Sequence, residues 1–252
     1  MKVLSLFSGG GLGDYGLELA GMEIVGQVEI DDYCQKILKL RWPDVPKWKD
    51  IRNVKTSELP KCDLRIGGFP CQDISVAQND PQGIAGERSG LWSEQFRIIR
   101  DLRPRYAIVE NVSALLVRGL GRVLGELAEI GFDAEWQVIP SCWVGAFHYR
   151  ERVWILAYPK SKRWKEIAFQ SGVLKESSIK KPDEWKQFLS ISAGAYQIDE
   201  QWKKYQNIVC GDDDGDTFQV DRLHLLGNGM QVQVVEWIGK RIMEFELMKE
   251  KV

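Results

Sequence analysis

The opening thirty residues limit the fold more than any other stretch of the chain. Lys2 to Phe7 has Val3, Leu4 and Leu6 apolar and Ser5 small, the pattern of a buried strand. It runs into Ser8-Gly9-Gly10-Gly11-Leu12-Gly13-Asp14, and a helical pattern follows with Leu17, Leu19 and Ala20 as apolar members and Gly21 closing it. Strand, glycine loop and helix form the first unit of a nucleotide-binding α/β fold, in which glycines let the backbone approach a ligand. A second strand, Glu23 to Val28, ends in Glu29-Ile30-Asp31-Asp32. An acid about 20 residues past such a loop suits ribose hydroxyls. Glu29 fits that role, while Asp31 or Asp32 can cap the helix expected over Tyr33 to Leu40.

Two later strand ends carry polar chemistry. Leu64 to Ile66 runs into Gly67-Gly68-Phe69-Pro70-Cys71-Gln72-Asp73-Ile74-Ser75. Glycines allow a sharp turn and proline fixes φ, so together they hold one side chain at a strand end. Taken alone, Pro-Cys reads as a turn followed by an inert buried thiol. The strand Tyr106 to Val109 ends in Glu110-Asn111-Val112, where a carboxylate faces the same crevice as Cys71. Strands are also expected over Phe132 to Pro140 and Val153 to Tyr158. Between them, Arg150 and Arg152 point the same way in an extended segment, either as surface charges or as an anion site. Asp50, in the loop from Arg41 to Pro60, is an acceptor for an adenine amino group or a solvated charge, and local sequence favours the charge.

Composition removes several function classes. The 252 residues are 44% hydrophobic and 28% charged, ordinary for one globular core with a small appendage. No apolar run approaches the roughly 18 residues of a membrane span, and Met1-Lys2 leads straight into the first strand, so a cytoplasmic protein is expected. The five cysteines never form Cys-x-x-Cys, and His148 and His224 are the only histidines, which argues against a disulfide framework and a metal site. The net charge of −2 means that any basic surface is local.

The texture changes from Pro159 to about Val220, where Lys, Arg and Trp interleave, as at Lys162-Arg163-Trp164-Lys165 and Trp202-Lys203-Lys204-Tyr205. Basic residues among aromatics suit phosphate contact plus stacking, although an ordinary small domain has the same look. Val76 to Gly90 is long, polar and glycine-hinged, the pattern of a lid. Helices are expected over Leu91 to Leu102 and Gly119 to Ile130. A final helix carries Val232, Val235, Ile238, Ile242 and Phe245 on one face.

Together these pieces resemble the DNA (cytosine-5) methyltransferase family. Phe7-Ser8-Gly9-Gly10-Gly11 looks like its cofactor loop, Gly68-Phe69-Pro70-Cys71-Gln72 its nucleophile motif, and Glu110-Asn111-Val112 its glutamate motif. Arg150-Glu151-Arg152 looks like its double-arginine motif and Gly227-Asn228 its late cofactor motif. The match runs from Lys2 to about Tyr158 and again from Asp221 onward. The chain departs from the family pattern at three places: Leu12 and Gly13 look exchanged, His148 stands where glutamine is common, and the late motif reads Gly-Asn-Gly-Met-Gln.

The resemblance implies a Rossmann-like S-adenosylmethionine-dependent methyltransferase fold with a mixed, mostly parallel sheet. Residues 1–159 and 221–252 would form the catalytic and cofactor-binding domain, and 160–220 a small inserted target recognition domain. Cofactor contacts are implied for Phe7, Ser8, Gly9, Gly11, Glu29 and Ile30, and for Asp50, Ile51, Pro70 and Asn228. Catalysis is implied for Cys71, Glu110, Arg150 and Arg152. The implied reaction methylates C5 of cytosine in double-stranded DNA by base flipping and a covalent bond to Cys71, in a monomer without metal, of prokaryotic or phage origin. A tRNA cytosine-5 methyltransferase of the same family and an inactive DNA-binding protein are the alternatives. The short recognition segment keeps the first open, while the intact Cys71, Glu110 and Arg152 argue against the second.

Overall fold

The computed structural model describes residues 1–70, 91–146, 149–160 and 229–250. The expectations for Cys71, the lid, His148, the recognition segment and Asn228 lie outside them. Each short apolar run becomes a strand of one seven-stranded sheet in the order β3-β2-β1-β4-β5-β7-β6. The first strands are β1 (Lys2–Leu6), β2 (Glu23–Val28), β3 (Lys47–Trp48) and β4 (Leu64–Gly68), followed by β5 (Tyr106–Val112), β6 (Phe132–Pro140) and β7 (Glu151–Pro159). β1 to β5 are parallel, and β7 runs antiparallel to both β5 and β6.

The helices follow from the chain's apolar periodicity and its caps. They are α1 (Leu12–Leu19), α2 (Asp32–Arg41), α3 (Leu91–Leu102), α4 (Leu115–Arg118), α5 (Leu120–Glu129) and α6 (Val232–Glu250). Asp31 caps α2, its carboxylate accepting from the Cys34 N–H at 2.8 Å. Gly21 and Gly131 turn the chain after α1 and α5 with φ of 83° and 75°.

Strand alternation sends residues to two faces. Val3, Ile66, Ile108 and Trp154 pack with Leu17, Ile37, Val235 and Ile238 under α1, α2 and α6. Ala107, Val109 and Ile155 pack with Trp92, Ile99, Val123 and Leu127 under α3 and α5. Both faces are covered, so the central strands are buried throughout, as in parallel sheets generally. The five apolar residues expected on one face of the last helix are all buried.

Candidate active site

The glycine loop leaves β1 through a backbone that ordinary residues avoid. Phe7, Gly9 and Gly11 have φ of 53°, 55° and 82°. For Phe7 this left-handed conformation carries strain, which persists where surrounding structure enforces it. Here the Ser8 N–H donates to the Val28 carbonyl at 3.1 Å, and its hydroxyl donates to Ser5 Oγ at 2.9 Å. A Cβ on Gly9 would have nothing within 4 Å, so the loop presents open backbone there.

Glu29 braces this loop. Its Oε2 accepts from the Gly9 N–H at 2.6 Å and its Oε1 from the Asp31 N–H at 2.8 Å. Burial raises its carboxyl above the usual range, and these backbone donors oppose the shift. Each oxygen keeps lone-pair capacity for a further donor.

Beyond β2 and β3 lies a pocket of about 430 Å³ lined by Ile30, Trp48, Lys49, Asp50, Asn53, Val54 and Glu58. Its volume falls in the range for small-molecule sites. Ile30, on its lining, is 54% exposed. Asp50 caps the turn Ile51–Asn53, its Oδ1 accepting from the Arg52 N–H at 3.0 Å, and pairs with the Arg52 guanidinium at 2.7 Å. The Arg52 contact holds the Asp50 carboxyl low, so it remains an acceptor. It is thus a turn cap on the pocket wall as well as a charge. Ile51 turns its side chain into the core, which leaves only its backbone for a ligand.

The strand that leads to Cys71 is held from both sides. Asn111 Nδ2 donates to the Phe69 carbonyl at 3.0 Å, and Gln95 Nε2 donates to the Gly67 carbonyl at 3.0 Å. Phe69 is buried with its ring centroid 5.6 Å from that of Trp92. Pro70 therefore leaves an anchored strand end.

Glu110 lies beside that end because Gly68 and Glu110 are register partners in the β4–β5 ladder. A Cβ on Gly68 would stand 2.6 Å from Glu110 Oε2, so a larger residue here would push the carboxyl from this position. Across the β5–β7 ladder Glu110 faces Trp154 and Val112 faces Arg152, which makes Glu110 and Arg152 diagonal neighbours on one face. Arg152 Nε reaches Glu110 Oε1 at 3.1 Å. Burial raises the Glu110 carboxyl, while the guanidiniums of Arg152 and Arg150 pull it down. Arg150 is fixed through its backbone, its N–H donating to Ser141 Oγ at 3.0 Å and its carbonyl accepting from Gln231 Nε2 at 3.1 Å.

Other participants gave weaker sequence signals. Asp14 in α1 is buried, accepts from Gln27 Nε2 at 2.6 Å, and is pushed up to about 6 by burial. The visible sign was an acid among the apolar residues of a first helical turn. Asn111 lies in the Glu110-Asn111-Val112 motif, which by itself assigns it no role. Gln95 gave no signal beyond helical spacing. Among the described residues, no group of three His, Cys, Asp or Glu side chains is placed to hold a metal. No described helix is long and apolar enough to cross a membrane.

The profile of the C-5 cytosine-specific DNA methylase family matches residues 1–213. The chain belongs to that family. It is 35% identical over 164 residues to the type II methyltransferase M.FnuDI of Fusobacterium nucleatum, covering 64% of this chain and 47% of that protein. It is 31% identical over 164 residues to the orphan methyltransferase M.Rho11sI of Bacillus phage rho11s, covering 62% and 32%. The chain thus spans less than half the length of these curated relatives. Among solved structures, a mutant of Spodoptera frugiperda DNMT2 superposes with a TM-score of 0.65 at 16% identity, over 96% of this chain and 99% of that one. Schizosaccharomyces pombe Dnmt2 gives 0.65 at 17%, over 97% and 98%. These likenesses establish the fold: a mixed, mostly parallel sheet of the S-adenosylmethionine-dependent methyltransferase type.

Proposed function

We propose that the protein transfers a methyl group from S-adenosylmethionine to C5 of cytosine in duplex DNA. The observation that carries this reading is the register pairing of Gly68 with Glu110. It sets a carboxyl whose proton affinity is raised by burial, with Arg152 against it, at the strand end that continues into Pro70-Cys71.

The residues fit the cofactor. The open backbone at Gly9, the two Glu29 oxygens and the pocket lined by Ile30, Trp48 and Asp50 offer in turn room for a polar chain, acceptors for ribose hydroxyls and a slot for a flat base. When bound, S-adenosylmethionine supplies the activated methyl group.

C5 of cytosine is too weak a nucleophile to take that group unaided, so the ring needs covalent activation. In the proposed route the Cys71 thiolate adds to C6 while Glu110 donates its proton to N3. Electron density moves to C5, which accepts the methyl group. Loss of the C5 proton to a base then expels the Cys71 thiolate and restores the C5–C6 double bond, and N3 returns its proton to the Glu110 carboxylate. Arg150 and Arg152 favour the thiolate electrostatically. A stacked base is out of reach, so the target nucleotide swings out, at a cost of a few kcal/mol. Contacts from the 75–90 loop and the 160–220 segment offset that cost in this reading. Action in the cytoplasm of a bacterium or on phage DNA is part of the same proposal.

The test is Cys71→Ser assayed with labelled cofactor on mixed-sequence duplex DNA and on tRNA, with bisulfite sequencing of the product. We expect loss of transfer with cofactor binding retained. Unchanged transfer refutes the covalent route, and methyl incorporation into tRNA alone moves the substrate to RNA. A 5-fluorocytosine oligonucleotide should trap wild-type protein as a covalent adduct through Cys71, detectable by mass spectrometry.

A further inference from the structure

Met230, two residues before α6, packs beside two glycines on different elements. Its Sδ lies 2.9 Å from where a Cβ on Gly13 of α1 would stand, and its own Cβ lies 3.6 Å from that point. Its Cε lies 3.2 Å from where a Cβ on Gly68 of β4 would stand, the same point that Glu110 Oε2 approaches to 2.6 Å. One flexible side chain therefore runs from the helix after the glycine loop to the strand end beside Glu110. Thioethers are suited to filling such irregular gaps. Gly13 and Met230 also belong to two of the segments where the sequence departs from the family pattern, and here they meet.

We infer that Met230 is a positioning residue for Glu110: its thioether fills the room that Gly13 leaves against α1, and its terminal methyl forms the apolar wall behind the Glu110 carboxyl. The inference rests on the reading of Glu110 as the group that meets the base. Arg152 and Arg150 face that carboxyl from the β7 side, Gly68 from β4 and Met230 from the start of α6. Among the described residues, those two arginines are the charged groups on it. Burial raises the proton affinity of Glu110, and an apolar methyl beside the point on Gly68 that the carboxyl approaches would sustain that burial. A polar side chain at 230 would solvate the carboxylate and release the proton at lower pH.

The test uses the full chain in two measurements. In the first, the Glu110 carboxyl is titrated by 13C NMR with labelled glutamate, assigned by its disappearance in Glu110→Gln. Met230→Gln should lower the midpoint by about half a pH unit or more, and Met230→Leu should leave it in place. In the second, thermal unfolding is followed for Gly13→Ala, Met230→Val and the double variant. Gly13→Ala should lower Tm by several degrees alone and by much less beside Met230→Val, which removes the sulfur it would strike. An unmoved Met230→Gln midpoint overturns the inference, and so does a Gly13→Ala penalty equal in both backgrounds. If Met230→Gln does not fold, Met230→Ser takes its place in the titration, with the same downward shift expected and an unmoved midpoint overturning the inference. Wild-type protein without methyl transfer, but with both results as expected, overturns the proposed function and leaves the wall intact.

Discussion

Arg152 Nε stands 3.1 Å from Glu110 Oε1, diagonally across the β5–β7 ladder, and the carboxyl keeps a raised proton affinity in spite of it. Arg152 lies against the carboxyl and lowers its proton affinity, while burial raises it. Glu110→Gln should reduce single-turnover methyl transfer by about 10²- to 10⁴-fold, the usual worth of a positioned acid. Arg152→Ala removes a charge that lowers the Glu110 affinity for protons. The limb of the pH–rate profile that belongs to Glu110 should then move to higher pH as the rate falls, and an unmoved limb would show that the pair is not coupled.

Glu29 holds two backbone N–H groups as well as being suited to a ribose. Glu29→Gln replaces one acceptor with a donor that faces an N–H. Loss of one or two hydrogen bonds to a charged group corresponds to about 10- to 100-fold weaker S-adenosylmethionine binding. Calorimetry reads this directly. Binding within about twofold of wild type would remove Glu29 from the site.

Asp14 gives a pH dependence with a defined sign. Its carboxyl is pushed up to about 6 in the fold from an ordinary value of 3.8. Burial is the main cause, with Glu18 and Glu29 adding to it and hydrogen bonds from Ser5 and Gln27 opposing it. Between those values the folded state holds a proton that the unfolded chain has lost. Its contribution to stability is therefore full below about pH 4 and declines as pH rises towards 6. Asp14→Asn lacks this slope. At pH 8 it should be the more stable protein, by on the order of 2–3 kcal/mol if its hydrogen bonds survive. Urea unfolding of both proteins across pH 4 to 8 checks it, and parallel curves would contradict it.

Arg65 makes a fourth case. It is fully buried on the β4 face opposite Glu110, and among the described residues its guanidinium nitrogens make no hydrogen bond. Burial lowers it to about 9. A buried charge without a partner opposes folding, so Arg65→Met should raise stability by about 1–3 kcal/mol in urea unfolding. A loss of that size would mean that the guanidinium has a partner.

Strands and helices long enough to show a period were legible in the sequence: β2, α3 and β6 have the expected bounds. β3 and α4 were not, because two and four residues carry no period. β5 runs on through Glu110, Asn111 and Val112, and β7 starts at Glu151. The sequence marked these polar residues as strand ends. They pair as strand because each strand's ladder hydrogen bonds and the Glu110–Arg152 contact support the other. In the candidate site, Glu110 and Arg152 are legible because each sits in a short motif of adjacent residues. The Asn111 and Gln95 bonds that hold the end of β4, and the meeting of Gly13 with Met230, arise only when distant segments pack.

The reversed direction of β7 has a consequence for what lies between β7 and α6. Its first residues stand at the edge of the sheet that holds Glu110, and its last, with Lys160 bonded to the Gly131 carbonyl at 2.8 Å, stand at the opposite edge. Nine residues of strand separate the two, about 30 Å. The chain thus departs for residues 161–228 at the edge remote from Glu110 and returns at Gly229, directly beside Met230. The two tethers of that segment are unequal: a pull at the returning one bears on the wall behind Glu110, and a pull at the departing one is absorbed a full strand away.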